Sequence, residues 1–188
     1  ELESERAFLS AVLDTIEEAI VICDAEGRLI QFNEAARRLH GLADRPIPPD
    51  QWAATYDLFQ PDGTTPLPTE EIPLYRALRG ERVHDAEMVV DPTHSQPKHL
   101  VCNGKALTDE RGKLLGAVVA MHDITDRKKT MEALRESENK FRSLVDNTPD
   151  ALFLHDLKAH ILDVNQTAVE RYGYAREELL GMTTADID

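Results

Sequence analysis

From Leu2 through Phe8, Leu9, Val12, Leu13 and Ile16, apolar residues recur at three-, four- and seven-residue intervals, which predicts an amphipathic helix over residues 2–16. The period then changes. Residues 19–23 read Ala-Ile-Val-Ile-Cys, a buried strand, and residues 28–32 return as its hairpin partner across Asp24-Ala25-Glu26-Gly27, where Gly27 supplies the positive φ of the turn. Asn33 caps a short helix running through Leu39 and ended by Gly41, its side-chain oxygen taking up an otherwise unpaired backbone N–H.

Seven of the ten prolines (Pro46, Pro48, Pro49, Pro61, Pro66, Pro68 and Pro73) crowd residues 43–73. That density excludes long regular elements and implies a wrapped connection, anchored on the body by Trp52, Tyr56 and Phe59. A helix is expected over residues 69–79, capped by Thr69, with Glu70 and Glu71 in its first turn where the dipole favours acid, and stopped by Gly80. Strands are expected over 85–90, 99–107 and 114–122, with turn chemistry at Asp91-Pro92 and at Asp109-Glu110-Arg111-Gly112. The order strand, strand, helices, three strands describes an α+β fold, a five-stranded antiparallel sheet with its helices on one face.

The same design recurs 132 positions later: Ala19 and Ala151, Asp24 and Asp156, Asn33 and Asn165, Gly41 and Gly173 stand at matching turn and cap positions. His40 occupies the place of Tyr172, which gives it a packing role. The copies are joined by residues 125–147, a helix that Thr125 can cap and that must end before Pro149. With Ile124 at heptad position a, Met131 and Val145 also fall at a, and Leu134 and Phe141 at d, while Glu138 and Arg127 interrupt the seam. Such a polar helix with a narrow apolar stripe buries little alone and gains by pairing with a second copy of itself. Its alternative is a solvated spacer. The expected organisation is an N-terminal helix (1–17), a first domain (18–124), a linker helix (125–147) and the front half of a second domain (148–188).

Composition narrows the function. A net charge of −14 opposes the counterion release that drives nucleic-acid binding, and no basic patch interleaved with aromatics offsets it. The longest apolar run, residues 114–121, falls far short of the roughly 20 residues of a membrane span. No secretory signal opens the chain. The absence of an initiator Met, with an end inside the second copy, suggests a piece of a longer protein. Cys23 and Cys102 show no metal-type spacing and fit buried thiols in a reducing cytoplasm. No phosphate loop, nucleophile elbow, zinc helix or kinase motif set is present, so catalysis within these residues is not expected.

The paired Ala-Ile and Asn-x-x-Ala segments, Pro61-Asp62-Gly63, the Pro73-Leu74-x-x-Ala77-Leu78-x-Gly80 stretch and above all Asp123-Ile124-Thr125 resemble the PAS domain family, as found in tandem sensor regions of bacterial or archaeal signalling proteins. The resemblance covers one whole domain and the front half of another, which departs at Ala159, where the first copy has Gly27. It implies a PAS fold in which Asp123, Ile124 and Thr125 close the last strand and open an outgoing helix. It further implies a signal relay through Asp123, Ile124, Thr125, Met131, Leu134 and Phe141, a homodimer through the linker, and a downstream effector in the same parent chain, a histidine kinase or a cyclic-dinucleotide enzyme such as a diguanylate cyclase.

PAS relatives hold haem, flavin or small acids between sheet and helices. Here the helix at 69–79 has no histidine, leaving His84 as the weak haem-ligand candidate, and the flavin-photoreceptor cysteine segment is absent. No covalently bound cofactor is expected. A possible small-molecule ligand would meet Leu100, Cys102, Gly104 and Ala106, which share one face of a strand; sequence leaves open whether that face turns inward, and whether the space is filled by a ligand or by the protein's own side chains. His94 and His99 flank a proline-broken loop with no metal-binding logic, and His122, beside Asp123, is a candidate pH reporter. The expected function is a cytoplasmic sensory and dimerisation module; the alternatives are a ligand-free interaction scaffold and a haem-based gas sensor using His84.

Overall fold

A computed structural model of the chain describes residues 2–41, 45–91 and 96–187. Leu42 of the first repeat and the loop residues Pro92 and His94 lie outside the described residues. The chain divides into two compact units, Glu1–Lys128 and Lys129–Asp188.

The first unit runs α1 (Leu2–Asp14), β1 (Ala19–Asp24), β2 (Leu29–Phe32), α2 (Glu34–His40), α3 (Trp52–Thr55), β3 (Leu58–Phe59), α4 (Pro73–Leu78), β4 (Val83–Val90), β5 (Lys98–Thr108) and β6 (Leu114–Asp123) before entering α5 (Thr125–Asp146). The sheet is antiparallel with order β2-β1-β6-β5-β4-β3, six strands where sequence predicted five. The additional strand is β3, two residues inside the proline-rich connection that pair with Val89 and Val90. Two residues are too few to show an alternating pattern, and neighbouring Pro61 and Pro66 mask the signal because proline has no N–H to offer a ladder.

The helix expected over 69–79 is two pieces. A 3₁₀ turn spans Thr69–Glu71, and α4 begins only at Pro73, because Ile72 is held extended (φ −61°, ψ 123°). Proline disfavours the helical region for the residue before it and is itself well suited to the first helical position, so Pro73 both breaks the longer helix and starts the shorter one. Neither start carries a side-chain cap, so Thr69 does not play the part expected of it.

One sheet face and the α2–α4 layer form the core. Leu100, Cys102, Ala117 and Val90 are fully buried, and Phe32, Trp52 and Val83 nearly so. Each large apolar side chain removed from water in this way contributes about 1.5–3 kcal/mol. Helix α4 rides close on β5 at Gly104, where an added Cβ would lie 3.3 Å from Ala77 Cβ and 3.1 Å from the Val118 carbonyl oxygen.

The second unit holds the hairpin β7 (Phe153–His155) and β8 (Ile161–Val164), then α6 (Gln166–Tyr172) and α7 (Arg176–Leu179), around Ile161, Val164, Ala168 and Leu179. Its turn keeps the geometry of the first copy. Asp24 Oδ1 accepts from the Glu26 and Arg28 N–H groups, and Asp156 Oδ1 from those of Lys158 and His160. Ala159 takes φ +66° where Gly27 takes φ +80°, so the substitution keeps the turn at the cost of a conformation that L-residues disfavour.

Candidate functional site

Between the sheet and the helix layer of the first unit lies a cavity of about 40 Å³, lined by Phe32, His40, Trp52, Tyr56, Met88 and Met121 among others. Its aromatic wall comes from the proline-rich connection, which places Trp52 and Tyr56, and from the end of α2, which places His40. The His40 ring packs on Phe32 at 5.5 Å and on Tyr56 at 5.2 Å between centroids. Burial pushes the imidazole down to about 4, against a smaller opposing effect of a hydrogen bond to the Tyr56 backbone, so His40 is neutral at physiological pH. Its Nδ1 is buried and has no hydrogen-bond partner among the described residues.

Strand β6 connects this cavity to α5. Val119 and Met121 line the cavity, and two residues beyond Met121 the strand reaches Asp123. There the chain is tied to β5 three times: the Ile124 N–H donates to the His99 carbonyl at 2.8 Å, the His99 N–H donates to Thr125 Oγ1 at 2.9 Å, and Lys98 Nζ lies 3.1 Å from Asp123 Oδ2. Partial burial disfavours the Asp123 carboxylate, yet hydrogen bonds from Thr125 and Lys98 outweigh it and hold its pKa below the usual carboxylate value. Sequence had assigned the cap to Thr125. Instead Asp123 Oδ1 accepts the Thr125 N–H at 2.9 Å, and the Thr125 hydroxyl faces back to β5. Lys128 adds a contact to Glu87 on β4 at 2.7 Å. A Thr125→Ala variant leaves the His99 N–H unpaired and is expected to cost about 1–2 kcal/mol in urea denaturation, with amide exchange accelerated first at Ile124 and His99.

A second joint fixes the incoming helix of each unit. Asn33 Nδ2 donates to the carbonyls of Leu13 and Glu18, while its Oδ1 accepts the N–H of Ile20 and of Ala36. Asn165 repeats this with Val145, Asp150, Leu152 and Ala168. Asp14 Oδ1 accepts the Glu34 N–H, and Asp146 Oδ1 the Gln166 N–H. Each of these partners is displaced by the same 132 positions, so α1 and the last turns of α5 are one repeated element; Asn33 Nδ2 also lies 3.2 Å from the Ile16 carbonyl oxygen.

Of the ligand-wall candidates, Leu100 and Cys102 are fully buried, which turns their face toward the helices; Gly104 is met by α4; none of the four, Ala106 included, lines the cavity. Burial raises the Cys23 thiol to about 11 and the Cys102 thiol to about 12, values of inert apolar side chains. His84 is exposed on β4 and is not among the cavity-lining residues. Cofactor pockets ordinarily run about 300–1,000 Å³, so the residues present do not fit haem. Among the described residues His99 Nδ1 is buried without a partner and no metal-ligating cluster of three occurs. Exposed His122 faces Glu18 at 3.7 Å. On α5, Met131, Leu134 and Phe141 are 61%, 59% and 69% exposed. Among the described residues no helix is long and apolar enough to cross a membrane.

The family model described as PAS fold matches residues 13–129, and a second, described as PAS domain, matches 139–188. Hybrid signal transduction histidine kinase I of Dictyostelium discoideum is 35% identical over 100 residues, 50% of this chain and 6% of that protein. Methyl sulfide methyltransferase-associated sensor of Methanosarcina acetivorans is 44% identical over 57 residues, 30% of this chain and 6% of that protein. The chain thus spans about 6% of the length of each of these curated relatives. A solved PAS domain of a Colwellia psychrerythraea protein is similar at 19% identity and a TM-score of 0.46, over 67% of this chain and 99% of that one.

Proposed function

Since the chain belongs to the PAS fold family, we propose that its first unit is a sensor whose cavity reports through β6 to the outgoing helix α5. One observation carries this reading: the strand that supplies Val119 and Met121 to the cavity wall runs directly into the Asp123-Ile124-Thr125 locks. An occupant that favours one position of Met121 changes the balance between alternative settings of those locks, which is population shift through a covalently continuous strand. The module carries no catalytic role of its own. Its output passes to an effector in the parent chain, for which a sensor histidine kinase is the reading supported by the kind of proteins that share its sequence.

The receiver is a parallel homodimer of α5. Met131, Leu134 and Phe141 form an exposed apolar stripe on an otherwise charged helix, and two such stripes bury each other when identical helices pair. Helix α1 exposes Leu9 at the position matching the seam residue Phe141, so a related apolar stripe precedes both units. A Leu134→Glu change puts a charge in the seam and is expected to weaken self-association at least roughly tenfold by light scattering across a concentration series. Unchanged association would refute the register. The small size of the cavity favours a second reading, a ligand-free scaffold that sets dimer geometry; it predicts the same dimer and no occupant.

A further inference from the structure

We propose that the sheet carries a second site on the face turned away from the His40 cavity: a groove at a bulge in β4 that binds a free carboxylate on an apolar chain, with Arg82 and Lys105 at its head and Val118 and Ala120 beneath its tail. The site is separate from the sensing cavity, and its failure leaves the sensor reading standing.

The groove exists because β4 and β5 do not keep step. Their register runs Ala86 opposite Cys102 and then Val83 opposite Gly104, so His84 and Asp85 together face Asn103 alone. Asp85 takes φ +49°, in the left-handed region, and its N–H donates to Asn103 Oδ1 at 3.1 Å, which holds the extra residue out of the ladder. Beside this bulge opens a groove of about 250 Å³, lined by Arg82, His84, Asn103, Lys105, Val118 and Ala120 around the Val83–Gly104 pair. Val118 and Ala120 alternate along β6 with Val119 and Met121 of the cavity wall, so one strand borders both sites from opposite faces.

Every polar side chain in the groove offers a donor. Arg82 and Lys105 are cations, the His84 ring brings an N–H, and Asn103, its oxygen taken by Asp85, has its NH₂ to give. Among the described residues these donors have no hydrogen bond or ion pair, and no carboxylate lines the groove, on a chain with 35 Asp and Glu and a net charge of −14. Donors without acceptors select an anion. A carboxylate suits the fork of a guanidinium, and half-buried Val118 and Ala120 give its hydrocarbon body an apolar surface to cover.

The larger groove beside α2 differs on this point. Its Lys98, His122 and Arg38 face Asp123, Glu18 and Glu34 at 3.1, 3.7 and 3.6 Å, so its basic groups are already matched. An anionic bilayer is a poor source of the head group because it repels a chain of this net charge, which leaves a free molecule.

Octanoate and octanol share a chain length and differ in the charge of the head. Each is titrated into the 188-residue protein and into Arg82→Gln/Lys105→Gln, with the Asn103 NH₂, the Val118 and Ala120 amides and the Trp52 indole followed by NMR. Both replaced side chains are exposed, so the variant is expected to fold. Octanoate should shift the Asn103, Val118 and Ala120 signals saturably and octanol far less, and the double variant should bind octanoate about fivefold more weakly. Equal binding of the two compounds, equal octanoate binding by the double variant, or no saturable shift overturns the site. Shifts confined to Trp52 put octanoate in the internal cavity, which overturns the site as well. A double variant that loses self-association while the unaltered protein ignores octanoate makes this face a contact between copies and overturns the proposal. Should the double variant not fold, the unaltered protein decides alone: octanoate shifts at Asn103, Val118 and Ala120 uphold the site, and their absence overturns it.

Discussion

Replacing Asn33 by alanine is expected to destabilise the first unit by about 3–5 kcal/mol, a large fraction of the roughly 5–15 kcal/mol that holds a domain together. The side chain is 1% exposed and serves three elements at once. Its oxygen accepts from Ile20 at 2.8 Å and Ala36 at 2.9 Å, tying β1 to the start of α2, and its amide donates to Leu13 at 3.1 Å and Glu18 at 2.8 Å, fixing the end of α1. Loss of the helix cap alone costs about 1 kcal/mol, and each further buried group left unpaired adds about 1–3 kcal/mol. Asn33→Asp is the sharper variant. It keeps both accepting contacts but replaces the amide donor with an oxygen facing carbonyl oxygens, so it should approach the alanine variant in urea denaturation. A cost below 1 kcal/mol for either substitution would show that the joint is not a structural hub.

Stability should fall as pH drops from about 6.5 to about 4, and His40 should be responsible for about 2–3 kcal/mol of that fall. The sign follows from the two states. Above pH 6.5 the imidazole is neutral both folded and unfolded and contributes no slope. Below that value the unfolded chain takes up a proton that the folded cavity refuses, so unfolding gains a proton and becomes easier. The loss levels off below about pH 4, where the folded imidazole also protonates. Asp123, Asp156 and Asp186, all held below their usual value of 3.8, add their losses at lower pH and so separate from the histidine window. Denaturation of the unaltered protein and of His40→Leu across this range checks the assignment, since the variant should be flatter between pH 6.5 and 4. Parallel profiles would remove His40 as the cause.

Much of the architecture was legible because it rests on local chemistry. The Asp24 and Asp156 turns, the Asn33 and Asn165 caps and the left-handed Gly41 and Gly173 that end α2 and α6 are each set by a side chain and its near neighbours. The Asn33 joint was half legible. Its capping oxygen follows from position, but its amide partners are backbone carbonyls of α1 and the following turn, which leave no mark of side-chain type. The usable signal was Asp14 and Leu13 matching Asp146 and Val145 at the repeat offset, which extends the duplication back into the helices.

The cavity was less legible. Alternation along β5 groups Leu100 with Cys102 on one face but does not say which face is buried, nor where along it a void remains. The void is defined by Trp52 and Tyr56, carried by a proline-rich segment without periodicity, and by His40, whose burial depends on both. The split of the expected 69–79 helix had its cause in view at Pro73, where the preceding residue is driven out of the helical region.

The central claim is that β6 couples the cavity to the first turn of α5. Amide hydrogen exchange of Ile124–Lys128 in the unaltered protein and in Met121→Ala, which changes only the β6 side chain at the cavity wall, tests it most directly. The account predicts altered protection at Ile124, Thr125 and Lys128, with the Asn165 joint of the second unit unchanged. A folded Met121→Ala protein whose Trp52 indole signal shifts while exchange at Ile124–Lys128 stays the same would contradict it.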